Sequence, residues 1–360
     1  MIKLAEIVKE YRDRVYKQYG FFLKEEHISA MNAILRCRTI ENGEMLYSCP
    51  DCGEKKWIPH SCGNRNCPQC QNDITTAWLD KQRNKLLPTK YFMVTFTIPH
   101  LLRDTAKLHK KLFYNLMFTA SSKAMKEVAS KKRYLGGEIG MTGVLHTNSR
   151  KLDYHPHLHY VVPSGGIVYG KKTWKNKKSS YLMPAKPLSM LFRGKLIALM
   201  KENKIPLPIG LYEKDWVIDI TYVGKGDPAL QYLSRYIYRG VISEKRIIKN
   251  ENGFVTFSYT ESKSKKVKTR TLPGQQFLFL ILTHVLPKGF RRCRDYGFLH
   301  GNRGKTLRLI QLICKVRLQD RLEKKEKPQC KCSHCKKPMI LTLVKVFRTL
   351  SLVPSRASPC

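Results

Sequence analysis

The chain has 360 residues, enough for two or three domains with ordinary hydrophobic cores and no covalent staples. Its 67 Lys and Arg against 27 Asp and Glu give a formal net charge of +40, spread along the whole chain, which favours an extended surface for a polyanion such as nucleic acid. Charge alone is equally compatible with a ribosomal or general RNA-binding protein. No signal peptide and no apolar run of ~20 residues is recognised, so membrane insertion is not expected and a cytoplasmic location is.

The composition divides the chain into four stretches of different character. Cysteines are concentrated in an N-terminal head, 1–88, which is predicted to hold a helix and a zinc-binding domain. Strand-like and helix-like segments alternate through a core, 89–243. A basic hairpin and a helical extension of the core follow over 244–305, and a basic helix and tail make up 306–360.

Strands in the core are predicted where β-branched and aromatic residues are concentrated between turn residues. These segments are Tyr91–Ile98, Met141–Thr147, His155–Val162 and Trp216–Val223. A turn-rich segment joins the second and third strands, so they are expected to form an antiparallel hairpin. Helices are predicted over Asp104–Arg133, Gln275–Leu286 and Leu307–Lys324, an exposed DNA-facing loop over Gly165–Lys186, and a basic β-hairpin over Lys245–Pro273. The pattern predicts an α+β fold with helices on one face of an antiparallel sheet.

Six of the twelve cysteines crowd into the head, which in a chain without a leader argues for metal binding over disulfides. Two C-x-x-C motifs separated by fourteen residues resemble the knuckles of a structural zinc site, and together they are predicted to complete one tetrahedron. These ligands are Cys49, Cys52, Cys67 and Cys70. Candidates for a second site, which could equally be buried structural residues, are Cys37, Cys62, His60 and His27.

Three histidines alternate along the third predicted strand. Side chains two residues apart on a strand share a face at a spacing of about 6.6 Å, so an adjacent pair can reach one ion, whereas His155 and His159 are too far apart. Such a pair alone is more often structural than metal-binding. Hairpin pairing is expected to place His146 beside His157 and His159 as a third nitrogen ligand. Rival third ligands, with the oxygen donors that Mg²⁺ prefers, are Glu138 and Asp153.

The segment from Asp227 to Gly240 is predicted to be an amphipathic helix with well-marked ends, since an aspartate and a proline open it and a glycine closes it. One stripe is apolar and is expected to face the core: Leu230, Leu233, Ile237 and Val241. The opposite stripe pairs candidate nucleophiles with candidate phosphate ligands: Tyr232, Tyr236, Arg235 and Arg239. Aromatic residues on helices usually pack. A tyrosine of pKa ~10 is only about a thousandth ionised at neutral pH, so attack on phosphorus needs help, which a metal ion that polarises the phosphate supplies.

Taken together, these motifs resemble the two-tyrosine HUH-endonuclease transposases of the insertion-sequence ninety-one (IS91) type, in which a zinc-binding domain precedes the nuclease. The likeness runs from about Cys37 to Arg303. It is carried by the following segments: Ser61–Gln71, Tyr154–His159 with Val162–Gly166, Tyr232–Tyr236, His284–Phe290 and Tyr296–Leu299. The likeness selects His157 and His159 as the metal pair.

The resemblance implies a ferredoxin-like split-βαβ nuclease core, structural Zn²⁺ and a catalytic Mg²⁺ or Mn²⁺. It also implies rolling-circle transposition through single-stranded DNA, with a 5′-phosphotyrosine intermediate on Tyr232 or Tyr236 and a free 3′-OH. Two departures stand out. Glu44 and Met45 occupy the place of an expected histidine in the head, which argues against a second zinc site there. Near the C-terminus a knuckle is retained at Cys332–Cys335, but Lys336 replaces the expected glycine.

Two other functions fit part of the pattern. A plasmid replication initiator or relaxase shares the histidine pair and the tyrosine chemistry, but the zinc head and the flanking motifs are not expected in it. A non-catalytic zinc-dependent DNA-binding protein would bury the histidines and stack the tyrosines on bases. Formation of a covalent protein–DNA adduct separates the enzymes from the binding protein.

Overall fold

The computed structural model describes residues 1–70, 72–177, 181–237, 241–261, 264–316 and 329–346, with the backbone alone at 72–74, 169, 229, 232 and 235–237. The α-helices in this part are α1 (Leu4–Tyr19), α2 (Glu25–Arg36), α3 (Asn72–Arg83), α4 (Arg103–Leu108), α5 (Lys110–Ser130), α6 (Ala185–Glu202), α7 (Asp227–Ile237), α8 (Gly274–Leu282) and α9 (Gly304–Ile313). The strands are β1 (Glu44–Ser48), β2 (Lys55–Pro59), β3 (Tyr91–Thr97), β4 (Met141–Asn148), β5 (Tyr154–Pro163), β6 (Gly165–Val168), β7 (Thr173–Asn176), β8 (Ile218–Tyr222), β9 (Ile247–Glu251), β10 (Phe254–Thr260), β11 (Val267–Pro273), β12 (Cys293–Tyr296) and β13 (Ile340–Lys345).

The central sheet is antiparallel and has five strands in the order β12-β4-β5-β3-β8. Helix α5 connects β3 to β4, and α6 lies between the β4–β5 hairpin and β8. The strands β3, β4, β5 and β8 therefore follow the split-βαβ plan, in which each crossover skips over one strand. The predicted α+β fold with an antiparallel core sheet is confirmed.

The two faces of this sheet have different coverings. Even-numbered residues of β3 and β5, among them Phe96 and Tyr160, point into the main hydrophobic core with α5 and α6. Odd-numbered residues of β5 point to the other face, where Val161 packs with Val144 of β4 and with Leu230 and Leu233 of α7. The alternation of side chains along a strand thus assigns α5 and α6 to one face and α7 to the face that carries His157 and His159.

A second hydrophobic core joins the start of the chain to its later part. Helices α1 and α2 pack with α8 and with the three-stranded sheet β9-β10-β11. The backbone N–H of Leu4 donates to the buried carboxylate of Glu244 at 2.9 Å, which fixes the start of α1. A third sheet, β13-β1-β2, brings the C-terminal strand into the zinc-binding head.

Several predicted elements differ in detail from the structure. The helix predicted over Asp104–Arg133 is interrupted at His109, which separates α4 from α5. Helix α4 contacts β5, and α5 packs in the main hydrophobic core. Within the stretch predicted as a loop, β6 and β7 form a hairpin, and the predicted hairpin over Lys245–Pro273 has a third strand. Part of the helix predicted over Leu307–Lys324 lies outside the described residues. Within the described part of the chain, no helix is long and apolar enough to cross a membrane.

Candidate active site and metal centres

Three histidines come together on the α7 side of the central sheet. In the β4–β5 pairing His146 lies directly opposite His157, and His159 follows two residues along β5 on the same face. The ring centroids of His146 and His159 are 4.4 Å apart, and those of His157 and His159 are 4.8 Å apart. One ring nitrogen from each of the three lies within 4.8 Å of the others. The hairpin register therefore produces the three-nitrogen arrangement expected from the sequence.

Hydrogen bonds orient two of these rings. Nδ1 of His157 lies 2.6 Å from the carbonyl oxygen of His155, and Nδ1 of His159 lies 2.9 Å from Oγ1 of Thr95, its cross-strand neighbour on β3. When Nδ1 is engaged in this way, Nε2 is left as the nitrogen available to a metal ion. Thr95 is a site residue that the sequence motifs did not reveal, because nothing but the β3–β5 register places it there.

The protonation state of the cluster suits metal binding. Burial lowers the pKa of His157 to about 4 and that of His159 to about 3. Burial, with the neighbouring histidines, also lowers the pKa of His146 well below its usual value. All three imidazoles are therefore neutral at pH 7 and present lone pairs, as ligation requires.

The other ligand candidates are engaged elsewhere. Nδ1 of His155 lies 2.9 Å from a guanidinium nitrogen of Arg103 on α4. Glu138 forms an ion pair with Arg303 at 3.2 Å, and Asp153 forms one with Arg270 at 2.7 Å. Among the described residues, the group of ligand atoms at this place contains neither carboxylate.

Helix α7 is docked onto the histidine face by its apolar stripe. Leu230 and Leu233 are 3% and 0% exposed and pack with Val144 and Val161, which flank the histidines on β4 and β5. The backbones of Tyr232, Arg235 and Tyr236 belong to this helix, while their side chains lie outside the described part of the structure, as does Arg239 altogether.

The start of α7 is tied to the helix that follows the zinc-binding head. Asp227, the first residue of α7, accepts hydrogen bonds from Nε and Nη2 of Arg83 at 2.6 and 3.4 Å. This bidentate pairing lowers the pKa of the Asp227 carboxyl. Arg83 ends α3, which begins two residues after Cys70 and packs against α7. Helix α3, together with the ion pair at its end, therefore connects the cysteines of the head to the helix on the histidine face.

Eight of the described cysteines form two groups of four, and this corrects the predicted single site. The first group, named the head cluster, consists of Cys37, Cys62, Cys67 and Cys70. The second, named the head–tail cluster, consists of Cys49, Cys52, Cys332 and Cys335. The two predicted knuckles thus belong to different groups, because the pairing of β1 with β13 brings the first of them beside the C-terminal knuckle. His27 and His60 belong to neither group.

Comparisons with known proteins agree with this geometry. Residues 7–98 match the family model described as "Transposase zinc-binding domain" (Zn_Tnp_IS91), and residues 140–306 match the one described as "Putative transposase" (Y2_Tnp). The chain is 35% identical over 326 residues to "Putative transposase y4qJ" of Sinorhizobium fredii, with 82% of each chain covered. The chain belongs to the IS91 family of transposases. The present chain is also 28% identical over 296 residues to the "Transposase for insertion sequence element IS801" of Pseudomonas savastanoi pv. phaseolicola. The match covers 77% of the present chain and 71% of that relative.

No solved structure matches the transposase. Its family establishes an enzyme that acts on DNA and a domain that binds structural zinc. The head cluster lies wholly inside the matched zinc-binding domain and fits the ion: the Sγ atom of Cys70 lies 3.4 Å from that of Cys37 and 3.6 Å from that of Cys62. A tetrahedral Zn²⁺ with ~2.3 Å bonds to sulfur sets sulfur atoms about 3.8 Å apart.

Proposed function

We propose that this transposase cuts and rejoins single-stranded DNA by attack of Tyr232 or Tyr236 on a phosphodiester, in rolling-circle transposition of an insertion sequence. The observation that carries the proposal is the cluster of three neutral imidazoles on the sheet face to which the tyrosine-bearing helix α7 is docked. The proposed metal ligands and the backbone of the helix that carries both candidate nucleophiles therefore lie on the same side of the central sheet.

The residues at the histidine cluster fit a divalent cation. The proposed ligands are His146, His157 and His159, all neutral at pH 7 because they are buried. A set of three nitrogens suits Mn²⁺ better than Mg²⁺, which prefers oxygen. When bound, the ion polarises the scissile phosphate and offsets its negative charge. Thr95 and the carbonyl group of His155 act as positioning groups, because they hold two of the rings in place.

The proposed reaction exchanges one phosphodiester for another. The tyrosine oxygen forms a bond to phosphorus, the bond from phosphorus to the 3′ oxygen breaks, and that oxygen takes up a proton and leaves as a free 3′-OH. The DNA 5′ end stays on the tyrosine as a phosphotyrosine. A 3′-OH can then attack this linkage and restore a DNA strand, and the second tyrosine takes part in that transfer.

Positive charge is proposed to hold the single strand. Arg235 and Arg239 are the proposed phosphate ligands beside the nucleophiles. The β6–β7 hairpin presents exposed lysines at 171, 172 and 175, and a net charge of +40 favours any polyanion.

Covalent capture tests this proposal. The chain is incubated with Mn²⁺ and a labelled single-stranded oligonucleotide carrying the end of its element, and adducts that survive denaturation are separated on a gel. We expect an adduct with the unaltered chain, a reduced yield or transfer with Tyr232→Phe or Tyr236→Phe, and none with the double variant. Tyr212→Phe is the matched control, because this exposed tyrosine lies next to α6, where its carbonyl oxygen accepts a hydrogen bond from Arg193. An adduct from the double variant contradicts the choice of nucleophiles, and DNA binding without any adduct favours a non-catalytic binding protein.

A further inference from the structure

The head–tail cluster joins two parts of the chain that are far apart in sequence. Cys52 and Cys332 are separated by 280 residues, yet their Sγ atoms are 3.6 Å apart, and those of Cys49 and Cys335 are 3.4 Å apart. All four sulfur atoms lie within 4.8 Å of one another. These separations are far longer than the ~2.05 Å of a disulfide and close to the ~3.8 Å edge of a tetrahedral zinc thiolate site.

The two knuckles have the same backbone geometry. The N–H of Cys49 donates to the carbonyl oxygen of Glu54 at 2.8 Å, and the N–H of Gly53 donates back to Cys49 at 3.0 Å. In the tail, the N–H of Cys332 donates to Lys337 at 2.9 Å, and that of Lys336 donates back to Cys332 at 3.2 Å. The residue after each second cysteine is left-handed, with φ of 75° at Gly53 and 61° at Lys336. Two turns of one kind thus face each other, each offering two thiols.

The sheet around this cluster has very little apolar core of its own. Strand β13 is exposed along its whole length, and β2 is largely exposed. The buried hydrophobic residues of this part are Cys49, Cys332 and Met339. A three-stranded sheet needs a hydrophobic face or another source of free energy to persist, and a structural metal ion supplies it in small modules.

We infer that the head–tail cluster is a second zinc site, which fastens the C-terminal segment 329–346 to the zinc-binding head. Four thiolates are the ligand set of closed structural zinc sites, with no position left for a substrate. The ion pair between Lys337 and Asp51, at 2.6 Å, links the two knuckles beside the sulfur atoms. Two ligands of the proposed zinc site, Cys332 and Cys335, lie beyond the matched zinc-binding domain, so the site depends on the C-terminal segment.

Zinc stoichiometry tests the inference. The zinc and iron content of the purified full chain is measured by inductively coupled plasma mass spectrometry. We expect two zinc ions per chain and no iron. Replacing both tail cysteines, Cys332→Ser with Cys335→Ser, should lower the content to one. Cys314→Ser is the matched control, since this half-buried cysteine lies outside both clusters, and should keep two. One zinc ion in the unaltered chain, two in the double variant, or iron in place of zinc overturns the inference.

A second measurement needs no variant and so does not depend on whether the altered chain folds. The full chain is treated with iodoacetamide before and after zinc removal by a chelator, and each cysteine is followed by peptide mass spectrometry. We expect Cys52 and Cys335, the more accessible thiols of the cluster, to be protected together and to become reactive together. Tail cysteines that react equally fast with and without zinc, while the head cysteines are protected, overturn the inference. Neither readout involves DNA, so the result is independent of the tyrosine mechanism.

Discussion

Substitution of Leu233 by alanine tests whether docking of α7 onto the histidine face is what makes the tyrosines competent. This side chain is fully buried between α7 and the sheet, in contact with the cluster that contains Val144 and Val161. Truncation of a buried leucine to alanine costs about 3 kcal/mol, through lost transfer free energy and the cavity left behind. Among the described side chains of α7, Leu230 is the other buried leucine.

The magnitude follows from the apolar contacts of this helix with the sheet. Its two buried leucines contribute roughly 3 to 6 kcal/mol between them, before the cost of ordering the helix is subtracted. A loss of about 3 kcal/mol therefore removes half or more of this apolar contribution and leaves α7 held mainly by its contacts with α3. We expect the initial rate of adduct formation to fall by about tenfold or more, because tenfold corresponds to only about 1.4 kcal/mol. Binding of single-stranded DNA should change little.

The control for this prediction is Leu196→Ala. Leu196 lies on α6, is equally buried, and packs into the main core on the opposite face of the sheet. Both variants should lose similar thermal stability, measured by the midpoint of unfolding. The rate of adduct formation, measured well below that midpoint, should fall with Leu233→Ala and not with Leu196→Ala. Equal rates in the two variants would refute the docking argument.

Three further predictions concern the metal centres and the DNA contacts. His157→Ala should abolish Mn²⁺-dependent cleavage with the zinc content unchanged, and cleavage that persists at saturating Mn²⁺ would sink the ligand assignment. Lys336→Gly should stabilise the head–tail cluster by about 1 kcal/mol, because glycine adopts the left-handed conformation freely, while Gly53→Ala should destabilise it by a similar amount. Both effects are measured by the chelator concentration that releases zinc. An unchanged concentration would contradict backbone strain at these two positions. Replacing Arg235 and Arg239 by alanine should reduce the magnitude of the slope of log binding constant against log salt concentration by about 1.4 for single-stranded DNA, measured by fluorescence anisotropy. An unchanged slope would mean that neither arginine contacts phosphate.

The histidine arrangement could be predicted because it depends on local rules. Alternation along β5 puts His157 and His159 on one face, and a short connection to β4 makes an antiparallel pairing the simplest outcome. The same short-range logic locates α7, whose first residue, Asp227, and whose buried leucines agree with the predicted start and apolar stripe. The roles of Tyr232 and Tyr236 stay a prediction.

The partition of the cysteines could not be predicted because it depends on long-range topology. A C-x-x-C spacing specifies a turn that aims two thiols in one direction, but it carries no information about which other pair they meet. Pairing of β1 with β13 decides this, and the tail has no strong strand pattern of its own. Thr95 escaped notice for the same reason, since it meets His159 only through the β3–β5 register.

Because the C-terminal segment 329–346 pairs with the zinc-binding head, the two cysteine clusters can form only in a fixed order during synthesis of the chain. The head cluster is complete once residue 70 has been made, since its outermost ligands, Cys37 and Cys70, are 33 residues apart. Cys49 and Cys52 meet their partners only after a further 280 residues or so, which takes roughly 15 to 55 s at the usual pace of translation. During that interval two thiols of the nascent head stand exposed without their tail partners. Synthesis that stops shortly before Cys332 therefore yields a transposase that contains the central sheet and α7 but in which Cys49 and Cys52 have no partners from the tail.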